Sequence, residues 1–193
     1  MARLLSKKEI RDKLLMMRKN LSSEELKHFS ELVSNKIQSL KEYKEARMIM
    51  SYIAKNKEVR TRELIENSIA MGKKVTAPKV DLLKKNIKLH EIRDFDNDLV
   101  PGFKGILEPK SSLPVIKNLK EIEFALIPGV AFDRKGRRIG FGKGFFDKLL
   151  MNKTNSNILC GIAFDFQILD EIPFNSDDIA MDIIVSDKRI IRC

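Results

Sequence analysis

The chain has 193 residues, 43% hydrophobic and 7% aromatic, which supplies the core of one domain over 1–193 and excludes long disorder. Its 37 basic and 27 acidic residues leave a formal charge of +10, which fits either a lysine-rich surface or a polyanionic partner, nucleic acid or a multiply charged small molecule. Two cysteines (Cys160, Cys193), two distant histidines (His28, His90) and apolar runs of only a few residues exclude a disulfide scaffold, a cysteine-based zinc site and a membrane-spanning helix.

The chain turns charged at Arg3 without the apolar core of a signal peptide, so the expected compartment is the cytoplasm. Two helices come first. Ser6 with Glu9 forms a capping box ahead of Ile10, Leu14 and Leu15; Ser22 with Glu25 forms a second ahead of Leu26, Phe29, Leu32, Val33, Ile37 and Leu40. Ala46 to Ile53 is a short apolar run suited to a buried strand. Thr61 opens a helix that Gly72 stops, and Lys74 to Pro78 is the next strand, completing a βαβ unit. Ile87 to Ile92 alternates like an edge strand, and turn residues from Asp94 to Leu113 predict a long loop. Phe124 to Ile127 is a buried strand, Phe145 to Met151 a helix and Ile158 to Phe164 a strand. Asp182 to Ser186 and Arg189 to Arg192 close the chain as a hairpin. The sum is an α/β fold, a three-layer α/β/α domain with a mainly parallel sheet and extra N-terminal helices. Met16, Met17, Met48, Met50 and Met71 are expected in the core, and Cys160 as an inert apolar filler.

The stretch Pro128 to Asp147 carries the chemistry. It runs from a predicted strand into a predicted helix, where open α/β sheets bind ligands. Gly140, Gly142 and Gly144 alternate with Phe141 and Lys143, and Arg134, Lys135, Arg137, Arg138 and Lys143 lie within ten positions. Glycines let backbone N–H groups approach a phosphate, a helix start adds donors, and arginine and lysine supply fork and point charge. Asp147 is suited to a Mg²⁺ that bridges phosphates. The loop is neither a Walker A motif, which would need glycine at Arg137 and Ser or Thr at Gly144, nor a dinucleotide fingerprint, which would need glycine at Phe145.

This segment resembles the signature of the 5-formyltetrahydrofolate cyclo-ligases, Pro-Gly-x-Ala-Phe-Asp followed by Gly-x-Arg-Leu-Gly-x-Gly-x-Gly-Tyr-Tyr-Asp. Here it stands as Pro128 to Asp133 (PGVAFD) and Gly136 to Asp147 (GRRIGFGKGFFD). Other landmarks follow the family order: Lys7 and Arg11; Glu58-Val59-Arg60-Thr61; Gly105-Ile106-Leu107-Glu108-Pro109; and Asp178 with Asp182 before Ile183-Ile184-Val185-Ser186. The resemblance spans nearly the whole chain. It implies a Rossmann-like fold and ATP- and Mg²⁺-dependent closure of 5-formyltetrahydrofolate to 5,10-methenyltetrahydrofolate, through a phosphorylated formyl group. It further implies that Lys7, Arg11 and the run Arg138, Gly140, Phe141, Gly142, Lys143, Gly144, Phe145 and Phe146 bind ATP. Ile53, Glu58 and Phe141 to Phe145 would meet the folate, Lys143 and Arg138 would act in phosphoryl transfer, and Asp147 and Asp178 would serve Mg²⁺. The partners expected are ATP and the folate, with or without a polyglutamate tail, and a monomer without nucleic acid or membrane. Two departures stand out: Phe145-Phe146 replaces a tyrosine pair, and Asp177 stands where many relatives have histidine. A basic RNA-binding module with phenylalanine stacking platforms, or a sugar-phosphate isomerase or transferase on a similar fold, are the competing readings; ATP dependence and salt slope discriminate them.

Overall fold

The computed structural model describes residues 5–84, 86–102, 105–175 and 178–193; Asp177 lies outside them. Both capping boxes form. Ser6 and Ser22 open α1 (Lys7–Lys19) and α2 (Ser23–Ser39), each accepting from the backbone N–H three residues on while Glu9 and Glu25 reach back. A five-residue α3 (Lys41–Glu45) follows, too short to leave a periodic trace. Then come β1 (Met48–Ser51), α4 (Arg62–Ala70), β2 (Lys74–Asp81) and β3 (Asn86–Ile92).

The stretch from Asp94 to Leu113, expected as a loop, holds short elements among its described residues. Asp94 caps a short α5 (Phe95–Asp98), and β4 (Leu99–Pro101) pairs antiparallel with β5 (Leu107–Pro109). Each of these strands has three residues and ends in proline, which hides any alternation. A two-residue β6 (Val115–Ile116) then covers β3, so β3 is not the edge. The chain continues through β7 (Phe124–Pro128), β8 (Ala131–Asp133), β9 (Arg138–Ile139), α6 (Phe145–Leu150), β10 (Ile158–Ile162), β11 (Ile168–Leu169), β12 (Ile183–Val185) and β13 (Ile190–Arg192).

The main sheet runs β13-β12-β10-β7-β1-β2-β3-β6. Its five central strands are parallel; β13 and β3 run against them, and β6 pairs antiparallel with β3. Alternate side chains enter two cores. Ile49, Val75, Phe124, Leu126, Cys160 and Ile162 meet α2, α3 and α4 through Val33, Ile37, Tyr43, Leu64 and Ile65. Met50, Ala125, Ile127, Leu159 and Ile184 face the other way, against Leu150 of α6 and Phe132 of β8. That second face is covered by one short helix and by a small sheet, β11-β8-β9, unforeseen because its strands have two or three residues. The two sheets approach so closely that a Cβ on Gly161 would come within 2.5 Å of the Phe132 ring.

Helix α1 joins neither face. Its Ile10 and Leu14 pack on Val130, Ala131, Ile139 and Ile172, seating the helix on the small sheet. Met16, Met17 and Met71 are exposed rather than core, since they fall on the solvent side of α1 and just past α4; Met50 is fully buried and Met48 half-buried. Cys160 is buried, and burial pushes its thiol far up, so it stays protonated. Among the described residues no helix is long and apolar enough to cross a membrane.

Candidate functional site

Strand β1 sends its chain to β2 on one side and borders β7 on the other, so the connections leave in opposite directions at their carboxyl ends. Such a crossing opens a crevice. A cavity of about 420 Å³ lies there, lined by Tyr52, Ile53 and Glu58 after β1, by Pro128 at the end of β7, and by Arg138 with Gly140 to Asp147.

The glycine-rich loop leaves β9 and enters α6 with Gly142 at φ +84° and Gly144 at φ +68°, the latter as the helix cap. These left-handed positions aim the loop backbone at the crevice, and side chains there would be strained. Lys143 is exposed on the cavity wall, and no side-chain partner holds its ammonium among the described residues. Phe145 and Phe146 also line the cavity, with Phe146 packing on both cores.

Arg138 lies beneath the loop with its side chain 5% exposed. It donates to the Asp147 carboxylate and to the Pro128 carbonyl, while its Nε is buried without a partner among the described residues. Burial pulls its guanidinium down, and the charges of Asp147 and Asp178 push back. The other cations of the stretch go elsewhere. Arg137 pairs with Asp133 and Glu171, Lys135 with Glu171, and Arg134 faces solvent. The five basic residues that look like one cluster in sequence therefore split, because a turn between β8 and β9 separates them; only Arg138 and Lys143 face the cavity.

Helix α1 closes the rim. Lys7 Nζ lies 2.6 Å from Asp178 Oδ2, and Arg11 Nε donates to the Gly140 carbonyl at 2.7 Å. Burial alone would raise the Asp178 carboxyl; Lys7, the Asn175 N–H and Arg138 outweigh it and hold it below the ordinary range. Asp182 has a structural job instead, accepting from the Leu159 N–H at 2.7 Å and pairing with Lys153 at 2.7 Å. Glu58 is nearly buried. Its Oε2 accepts from the Lys55 N–H at 2.9 Å, and burial raises its carboxyl against the pull of that bond and of Arg18.

The structure thus gathers Ile53, Glu58, Arg138, Gly140 to Phe146 and Asp147 on one cavity, with Lys7, Arg11 and Asp178 on its rim. Among the lining residues to which the sequence assigned no role in the site are Arg18 and Glu108. Arg18 stands seven positions after Arg11 on the same helix face, a spacing that could have exposed it. Glu108 is 5% exposed, accepts a long 3.4 Å bond from the Val80 N–H, and lies against Gly102, where a Cβ would collide with its carboxylate. Its neighbourhood depends on the unforeseen β4–β5 hairpin.

A cavity at this crossing, walled by a glycine-rich loop with Arg138 beneath it and Lys143 on its wall, is the site of an α/β enzyme. The chain belongs to the 5-formyltetrahydrofolate cyclo-ligase family, whose model matches residues 3–187. It is 29% identical over 181 residues to the 5-formyltetrahydrofolate cyclo-ligase of Haemophilus influenzae, covering 93% of this chain and 97% of that one. It is 30% identical over 173 residues to the probable 5-formyltetrahydrofolate cyclo-ligase of Schizosaccharomyces pombe, covering 83% and 84%. Among solved structures, the NMR structure of Aquifex aeolicus 5,10-methenyltetrahydrofolate synthetase is similar with a TM-score of 0.85 and 34% identity, over 96% of this chain and 92% of that one. A 5,10-methenyltetrahydrofolate synthetase from Mycoplasma pneumoniae shares the fold at a TM-score of 0.77 and 24% identity. The RNA-binding and isomerase readings find no support in these relatives.

Proposed function

We propose that this cavity takes 5-formyltetrahydrofolate and that the glycine loop, with α1 above it, takes ATP. The formyl oxygen of the folate attacks the γ-phosphorus and ADP leaves. N10 then attacks the activated carbon, and phosphate leaves 5,10-methenyltetrahydrofolate. An amide oxygen is a poor leaving group, and phosphorylation makes it a good one. Positioning and charge stabilisation supply most of the catalysis of such a transfer.

The residues divide along the cavity. Glu58 accepts N–H donors of the pterin ring, with Ile53 packing beside it. Lys7, Arg11 and the Gly140–Phe146 backbone hold the phosphates at the rim. Lys143 and Arg138 face the transferring phosphoryl group, and the buried Nε of Arg138, without a partner among the described residues, is a donor that a phosphate oxygen would satisfy. Among the described residues no cluster of three acidic, histidine or cysteine ligands makes a metal cage. Two carboxylates, Asp147 and Asp178, each now balanced by a cation, suit a Mg²⁺ that arrives on the nucleotide and keeps phosphate and water ligands. When bound there, Mg²⁺ would neutralise charge on the phosphates. Phe145 and Phe146 keep the ring face of a tyrosine pair without its hydroxyls. The chain acts as one unit, a monomer in the cytoplasm, and a polyglutamate tail on the folate is compatible with its positive charge.

The observation that carries this reading is the convergence of the loop, Arg138 and Glu58 on one cavity at the β1–β7 crossing. The test is the near-ultraviolet absorbance of the methenyl product, followed with and without ATP. An ATP-dependent rise that Lys143→Ala loses supports the assignment; no rise from well-folded wild type sinks it.

A further inference from the structure

Arg18 has no part in the reaction as described, yet it lines the cavity with only 7% of its surface exposed. A guanidinium stays charged, so burying one is costly without strong partners. Among the described residues no hydrogen bond reaches its nitrogens. It has two neighbours instead. The Phe141 ring lies with its centroid 5.3 Å from Cζ, and Glu58 Oε1 lies 4.0 Å from Nη2. Phe141 belongs to the loop proposed for the nucleotide, and Glu58 to the turn proposed for the folate ring. Arg18 therefore touches both walls from a third element, α1.

The remaining groups facing Glu58 do not replace that cation at the same place. Lys55 gives a backbone N–H and a charge that acts on Glu58 less than that of Arg18, and Tyr52 is buried with its hydroxyl on the Val59 carbonyl. Glu108, Arg138 and Lys143 also line the cavity, but the charges that act on Glu58 are those of Arg18 and Lys55.

We propose that Arg18 is a positioning residue that keeps Glu58 ionised to accept the substrate's N–H donors and, through its cation–π contact with Phe141, holds the nucleotide loop in register with that ring. This rests on the folate reading above. The physical demand is plain. Burial drives Glu58 towards its neutral form, which accepts fewer hydrogen bonds, and a cation at about 4 Å opposes that drive. Lysine could supply the charge at Glu58 but is the poorer cation against a ring, and methionine supplies neither.

The test titrates the full chain with 5-formyltetrahydrofolate from pH 5 to 9 without ATP, by calorimetry, with turnover measured in parallel. Wild-type turnover checks the folate reading on its own; its absence defeats that reading. With turnover present, wild-type folate affinity should fall on the acid side. Arg18→Met should move that limb upward by about 1 pH unit or more. Arg18→Lys should leave the limb in place and raise the KM for ATP about threefold to tenfold. Glu58→Gln should remove the limb, and adding Arg18→Met to it should leave the pH profile unchanged. A limb that stays put in folded Arg18→Met overturns the proposal. So does a limb that persists in Glu58→Gln, which decides the matter if Arg18→Met does not fold. An unchanged KM for ATP in Arg18→Lys overturns the loop half.

Discussion

Replacing Arg138 by methionine separates a catalytic role from a structural one. The Arg138 side chain is 5% exposed, but its partner Asp147 is 45% exposed. When the guanidinium goes, Asp147 returns to water, so the penalty of about 3–5 kcal/mol for stranding a buried charge does not arise. What is lost is the bond to the Pro128 carbonyl at 3.2 Å, about 1 kcal/mol, partly offset because methionine needs no desolvation. The expected melting temperature is therefore lower by no more than about 2–4 °C for a domain of this size. Turnover behaves differently. A preorganised donor aimed at developing charge is worth about 10²–10³ in rate, or about 3–4 kcal/mol. The assay pairs the absorbance of the methenyl product with a thermal melt of the same sample. A melting temperature down by ~10 °C with turnover per folded molecule unchanged would make Arg138 a structural pair and refute the reasoning.

Other outcomes follow from the same geometry. Asp178 is held below the ordinary carboxylate range, so its stabilisation is complete above about pH 4 and is lost as pH falls through its lower folded value. Asp178→Asn should cost at most about 1 kcal/mol at pH 7, and its denaturation midpoint should converge with wild type in acid; a constant gap would contradict the pairing with Lys7. Glu58 has the opposite sign. Its raised folded value makes ionised Glu58 a burden that develops as pH rises from about 4.3 through that value. Glu58→Gln strands Arg18 at a constant cost, but its melting temperature relative to wild type should rise between pH 4 and pH 8 while the folate KM rises about tenfold or more; a relative melting temperature that falls over that range would count against burial as the dominant cause. Gly144→Ala puts a side chain at φ +68° in open space, so strain alone should cost about 1 kcal/mol, visible in urea, with reduced turnover. The +10 charge should make kcat/KM for ATP fall with ionic strength, and a flat dependence would remove electrostatic steering from the account.

Much of the scaffold was legible in local chemistry. The boxes at Ser6–Glu9 and Ser22–Glu25 mark two helix starts because the bonds that make them span three residues. Apolar runs at Phe124 and Ile158 mark central strands because parallel strands bury both faces. Gly142 and Gly144 mark the loop because glycine takes its left-handed turns without strain. Lys143 and Arg138 stand out within that loop, and Glu58 comes from the resemblance to the family motif; all three line the cavity.

Tertiary structure decided what distance in sequence conceals. No local rule says that Ile10 and Leu14 seat α1 on the small sheet, which is what brings Lys7 to Asp178 and Arg18 to Phe141. None says that Arg137 and Arg138, adjacent in sequence, part company, one to Glu171 on the surface and the other under the loop. The β4–β5 hairpin has strands too short for a period, so Glu108 reaches the cavity only through contacts with β2. Side-chain type and backbone preference act over three or four residues and so show in sequence; packing and charge pairing join residues more than a hundred positions apart, and only the folded chain makes them neighbours.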